Sequence, residues 1–127
     1  LAKAAGLSDP EFWSLDFIYH GAQTQREIAD RLFLSPQTIN SAFKLLGKKG
    51  LVSLEPFPHD QRSKKAVLTE TGAAFVAERV LPLEGVEAQA WAMLTSQEQA
   101  ALIGLIRRFG AALRRCLQLH IQSSEDL

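Results

Sequence analysis

Ile28-Ala29-Asp30-Arg31-Leu32-Phe33-Leu34-Ser35-Pro36-Gln37-Thr38-Ile39 is the stretch that decides the fold. It reads as the end of a short helix, a tight turn, and a second helix that Ser35 caps and Pro36 opens, a position where the missing proline N–H costs nothing. Ile28, Ala29 and Leu32 share an inward face with Ile39, and the small Ala29 lets the two helices approach. This is the layout of a helix-turn-helix. The second helix is expected to run through Asn40 and Lys44 until Gly50 stops it, leaving Gln37, Thr38, Asn40, Ser41 and Lys44 outward. Those side chains suit a major groove: Gln and Asn can bond adenine with both halves of the amide, Thr can pack its methyl on thymine, and Lys can reach guanine or phosphate. Taken alone, the same outward residues also describe an ordinary solvated helix face.

Upstream, Thr24 with Glu27 starts the first helix of the pair, which ends near Leu32. Before it, Ser8 with Glu11 forms a capping box for a helix to about His20, with Pro10 in its first turn. Phe12, Leu15, Ile18 and Tyr19 form one apolar stripe of that helix, and Trp13, Phe17 and His20 another, so it is expected to be buried on two sides, wedged between the central domain and a dimerising layer, against the alternative that both are sides of one large core. Downstream, Leu51 to Glu55 and Lys65 to Thr69 read as two strands of a hairpin, with the prolines of Pro56-Phe57-Pro58 holding residues 56–63 as a long tip. Thr69 or Thr71 then caps a helix through Phe75, Val76 and Val80 to about Met93, which Pro82 is expected to kink. Thr95 with Glu98 opens the last helix, about 26 residues or ~39 Å long at the usual rise. Its face of Leu102, Leu105, Ile106, Phe109, Leu113, Leu117 and Ile121 calls for a partner helix. Residues 122–127 read as a flexible tail.

A chain of 127 residues, 46% hydrophobic and 22% charged, has the composition of a globular domain rather than a disordered chain. It has neither a signal-peptide pattern nor the roughly 18 to 20 apolar residues of a membrane span, so a cytoplasmic location and no membrane partner are expected. The single cysteine, Cys116, rules out an internal disulfide framework. Formal charge is zero overall, yet Thr24 to Thr69 holds eight Lys and Arg against four Asp and Glu, a net of +4, and the remainder carries −4. A basic middle between acidic ends is a modest nucleic-acid footprint. No Gly-rich phosphate loop, metal-ligand cluster or supported Ser/His/Asp set appears, so neither an enzyme nor a cofactor is expected.

The run Thr24-Gln25-x-Glu27-Ile28-Ala29 with Leu32, Leu34-Ser35, Thr38-Ile39, Leu46-x3-Gly50-Leu51-Val52, Asp60-x-Arg62-Ser63 and Leu68-Thr69-x2-Gly72 resembles the multiple-antibiotic-resistance regulator (MarR) family. The resemblance spans about Leu7 to Leu119. It implies a mostly α fold with a two-stranded β wing, in which residues 7–72 form a winged helix-turn-helix DNA-binding region (helix-turn-helix about 24–49, wing about 51–69). Residues 1–6 and 73–121 then form a helical dimerisation region. Implied partners are double-stranded DNA, a second copy of the chain and a small-molecule effector. On the matching positions, Pro36, Gln37, Thr38, Asn40, Ser41 and Lys44 fall in the recognition helix. Arg62 falls on the wing arginine that enters the minor groove, with Asp60 bracing it. Lys64 and Lys65 are expected on flanking phosphates, and Thr24 with Gln25 on another.

Several positions depart from the family pattern. Leu54, Glu55 and Gln61 stand where arginines are frequent, and Ser41 at a frequently basic position, which predicts weaker DNA binding. Phe33 replaces the glycine common in the turn, which suggests a slightly different turn and an added apolar contact. Leu1 to Ala5 are what this sequence holds of the family's first helix, so the dimer is expected to lean on the helices around Val80 and Phe109. Trp13, Asp16, Phe17 and His20 are the candidate pocket for a phenolic or amphipathic effector, against the alternative of an aromatic packing face. Cys116 and His120 are four apart, but two ligands make a poor metal site, and Cys116 is expected to be a small buried hydrophobe rather than an oxidation sensor. The competing functional class is a winged-helix protein–protein interaction module with weak or no DNA binding.

Overall fold

The computed structural model describes residues 1–126 and is helical apart from one hairpin. In chain order, a 3₁₀ turn (Lys3–Ala5) precedes α1 (Asp9–Tyr19), α2 (Gln25–Leu32), α3 (Pro36–Lys48), β1 (Val52–Phe57), β2 (Asp60–Leu68), α4 (Glu70–Phe75), a π-helical turn (Val76–Val80), α5 (Leu81–Ala92) and α6 (Ser96–Glu125). The caps fall where local chemistry places them. Ser8 and Glu11 close a full capping box, as do Thr95 and Glu98. Thr24, Ser35 and Thr69 each accept from the backbone N–H three residues on. Glu27 reaches past Thr24 to the N–H of Gln23 at 3.0 Å, so that cap is not reciprocal.

The chain divides into two compact units, Leu1–Gly85 and the residues from Val86 onward. The first holds a single apolar core. Phe12, Leu15, Ile28, Ile39, Leu46, Val76 and Val80 are fully buried there, and Trp13 and Phe17 pack against the same cluster. Both stripes of α1 thus serve this core, except that Tyr19 and His20, at the helix end, are exposed. Val80 being buried, it offers no surface to a second chain. Glu11 is also buried, and its carboxylate accepts from Lys49 Nζ at 2.6 Å, tying the start of α1 to the end of α3 across 38 residues of sequence.

The hairpin differs from the long-tipped expectation. The strands extend to Phe57 and from Asp60, leaving a tight turn at Pro58-His59. Pro56 is tolerated because β1 pairs only with β2, so its outer edge needs no N–H from the proline ring. Ladder order breaks between Pro56↔Lys64 and Phe57↔Asp60, so Gln61, Arg62 and Ser63 bulge from the tip. On β2's other side, Ala66 N–H donates to Gln23 O at 2.7 Å, joining the α1–α2 loop to the wing.

After the wing, Thr69 rather than Thr71 is the cap. Gly72 faces the backbone of Leu51 so closely that a Cβ there would lie 1.9 Å from the Leu51 carbonyl oxygen. Pro82 has no N–H for the carbonyl of Glu78, and the helix accommodates this by widening: Leu81 N–H bonds Val76 O, five residues back.

The second unit is simpler. Gln99 Nε2 donates to Trp91 O at 2.9 Å across the turn before α6. At 30 residues, α6 is longer than expected, ~45 Å at the usual rise. It stays helical through residues expected to be a loose tail, with the Ser123 and Ser124 hydroxyls donating to carbonyls four residues back. Leu127 lies outside the described residues. The stripe from Leu102 to Ile121 is exposed, and so is Cys116, contrary to its expected burial, because nothing in this unit covers that face. Among the described residues, no helix is long and apolar enough to cross a membrane.

Candidate nucleic-acid interface

The turn between α2 and α3 sets the recognition surface. Leu34 N–H donates to Ala29 O at 3.0 Å and Phe33 N–H to the Asp30 carbonyl, the paired bonds that end a helix on a left-handed residue. Phe33 is that residue, at φ 55°. The chain therefore makes the turn a glycine would make, rather than a different one. The expected apolar contact is absent as well, since the Phe33 side chain is 94% exposed. A left-handed backbone directs this side chain into solvent and costs energy that glycine would not pay.

From that turn, α3 sorts its residues sharply. Ile39, Ala42, Phe43 and Leu46 are buried, while Pro36, Gln37, Thr38, Asn40, Ser41 and Lys44 are all exposed. Thr38 is partly committed: its hydroxyl meets Ser35 Oγ at 2.8 Å, which leaves its methyl as the outward feature. Gln37, Asn40, Ser41 and Lys44 present amide, hydroxyl and ammonium groups along the surface, the inventory that reads base edges and phosphates.

At the wing, Asp60 holds the main chain of the bulge. Its Oδ1 accepts from the Arg62 backbone N–H at 3.0 Å and its Oδ2 from the Ser63 hydroxyl at 3.2 Å. The brace thus acts on the backbone that carries Arg62, leaving the exposed guanidinium at the tip. Lys64 is exposed and Lys65 half-buried. Glu55 stands directly opposite Lys65 in the ladder.

A cleft of about 340 Å³ separates wing from helix, lined by Thr24, Gln25, Arg26, Ser63 and Lys64. A neighbouring one of about 520 Å³ is lined by Gln25, Arg26, Asp30 and Pro36. The structure therefore brings Thr24, Gln25 and Lys64 together, as well as Gln25 and Pro36. Arg26, which sequence reading counted only as charge, lines both clefts. One signal was available: it is a cation in a first helical turn, where acids are favoured.

The candidate effector residues lie along α1. Trp13, Asp16 and Phe17 are half-buried, Trp13 meets Phe12 edge-on, and the Arg31 guanidinium sits 4.5 Å over the Phe17 ring. The His20 Nδ1–H donates to the Asp16 carbonyl at 2.9 Å and lies 3.4 Å from the Asp16 carboxylate and 3.9 Å from that of Glu84. The hydrogen bond to the Asp16 carbonyl, helped by both carboxylates, holds the imidazole pKa above its ordinary value. Among the described residues Asp16, His20 and Glu84 form the one cluster of three metal-type side chains, and Cys116 and His120 belong to none.

A profile described as MarR family matches residues 5–63. The chain is 30% identical over 111 residues to the uncharacterized HTH-type transcriptional regulator YkoM of Bacillus subtilis, covering 86% of this chain and 71% of that one. Among solved structures, it is similar to S. aureus MepR in a MepR–DNA complex, with a TM-score of 0.73 at 19% identity over 85% of this chain and 79% of that one. It is also similar to the PcaV transcriptional regulator from Streptomyces coelicolor, solved with its natural ligand, with a TM-score of 0.66 at 26% identity over 84% and 76%.

Proposed function

The chain belongs to the MarR family of transcriptional regulators, and from that premise we propose that it is a homodimeric repressor that binds a pseudo-palindromic operator in the cytoplasm. The observation that carries this reading is the α3 surface: six exposed polar or opening residues on a buried, capped helix, with a basic bulge beside it. In this reading Gln37, Thr38, Asn40, Ser41 and Lys44 enter the major groove behind Pro36. Arg62 enters the adjacent minor groove, where narrow width concentrates negative potential. Lys64, Lys65, Thr24 and Gln25 hold phosphates, with Asp60 fixing the wing tip. Residues 7–72 do this work, and the helices of 1–6 and 73–121 pair two chains so that the half-sites lie about one DNA turn, ~34 Å, apart.

Release by a small phenolic or amphipathic ligand at Trp13, Asp16, Phe17 and His20 completes the proposal, supported by the likeness to a ligand-bound regulator. A second reading, an interaction module with weak DNA binding, is favoured by Glu55 opposite Lys65 and by exposed Leu54 where cations are common. Selection from randomised duplex DNA, followed by anisotropy at two salt concentrations, separates the two. An inverted repeat bound by two chains with steep salt dependence supports the repressor, and Arg62→Ala should then weaken it. A dimer that enriches no sequence supports the module.

A further inference from the structure

Arg26 is placed unlike any other cation of α2. Arg31 has intrachain partners, with Glu27 at 3.9 Å and the Phe17 ring beneath it. Arg26 is exposed and, among the described residues, joins no ion pair and no ring. It sits in the first turn of α2, where the helix dipole disfavours a positive charge unless an anion is brought to it. It also borders both clefts at once. The one toward the wing is lined by two cations, two hydroxyls and an amide, with no carboxylate. The other, which the acidic Asp30 also lines, reaches Pro36, the first residue of α3. A guanidinium there, with five donors in a planar fork, matches a phosphate geometrically better than any other common anion-binding side chain.

We propose that Arg26 is a backbone-phosphate ligand of duplex DNA, gripping with Lys64 the phosphates that pass between the groove read by α3 and the groove reached by Arg62. This rests on the DNA-binding reading above and adds the contact that joins its two halves. A phosphate contact carries no sequence information, so its loss should weaken cognate and unrelated duplexes by a similar factor.

The test is anisotropy titration of the unaltered chain, Arg26→Ala, Arg26→Lys and Arg31→Ala across a salt series, on the selected duplex and on a scrambled one. Arg26→Ala should lose roughly tenfold on both duplexes, the scale of one charge-assisted contact. Its plot of log affinity against log salt should flatten by about 0.9, one phosphate's share. Arg26→Lys should keep the slope and recover part of the affinity, whereas Arg31→Ala should leave the slope unchanged. Unchanged affinity in Arg26→Ala, or equal losses in the two alanine variants, would overturn the assignment, the latter by showing only a bulk charge effect. A loss confined to the selected duplex would overturn it in favour of base reading. If the unaltered chain binds neither duplex, the DNA-binding reading itself fails and the assignment goes with it.

Discussion

The two compact units use their apolar side chains in opposite ways. In Leu1–Gly85, residues as far apart as Phe12, Ile39 and Val80 close on one another. From Val86 onward, Leu105, Ile106, Phe109, Leu113, Leu117 and Ile121 are each about half exposed or more. Burial is worth ~25 cal/mol per Å² of apolar surface, so the first unit stabilises itself, while the second offers a long helix whose stabilisation must come from another surface. Helices without such packing are marginal in water. On the proposed reading, DNA binding and pairing of chains fall to parts that differ in self-sufficiency.

The contrast breaks first at Gly72. Gly72→Ala places a methyl on the Leu51 carbonyl, and backbone cannot repack, so a loss of roughly 3 kcal/mol or more is expected in denaturant unfolding of the first unit. An unchanged midpoint would mean that the α4–β1 contact is looser than described. Next comes Phe109→Asp, which on the proposed homodimer reading should raise the dissociation constant by roughly 100-fold, about 2.7 kcal/mol. Sedimentation would register this while unfolding of the first unit stays as it was. If the two changed together, the units would not be independent.

Glu11 gives a smaller effect with a pH signature. Burial alone would raise its pKa, but hydrogen bonds from Lys49 and Ser8 outweigh it and hold the carboxyl below its usual value. A lowered folded pKa means the contribution is present above the unfolded carboxylate pKa and lost as pH falls through the folded one. Glu11→Gln should cost about 1 to 2 kcal/mol near neutrality, discounted because Lys49 is partly solvated, and the difference from the unaltered chain should shrink in acid. Smallest is Phe33→Gly, expected to stabilise by about 1 kcal/mol by relieving the left-handed backbone. Destabilisation instead would show that Phe33 makes a contact in solution.

What could be read from residues alone was what is local. Ser8, Thr24, Ser35 and Thr95 announce helices because a cap acts over three residues, and the alternation of Ile39, Ala42, Phe43 and Leu46 with polar neighbours fixes which face of α3 is outward. The hairpin tip is shorter than its prolines suggest because whether Pro56 is tolerated depends on β1 being an edge, a property of the sheet. The Glu11–Lys49 pair joins residues brought together only by the fold. Arg26 acquires its meaning from Ser63 and Lys64, which the wing folds back beside it. Exposure of Cys116 follows from the absence of a covering surface, which a stripe of apolar letters does not reveal.

The contact of Gly72 with Leu51 has a mechanical side. Where side chains meet, a push is absorbed by a change of rotamer; where main chain meets main chain, there is nothing to absorb it. Leu51 is the residue from which β1 departs, and Thr69 N–H bonds its carbonyl at 3.1 Å. The joint therefore leaves little slack between α4 and the foot of the wing, and the hairpin that carries Arg62 is seated on main chain rather than on adjustable side chains.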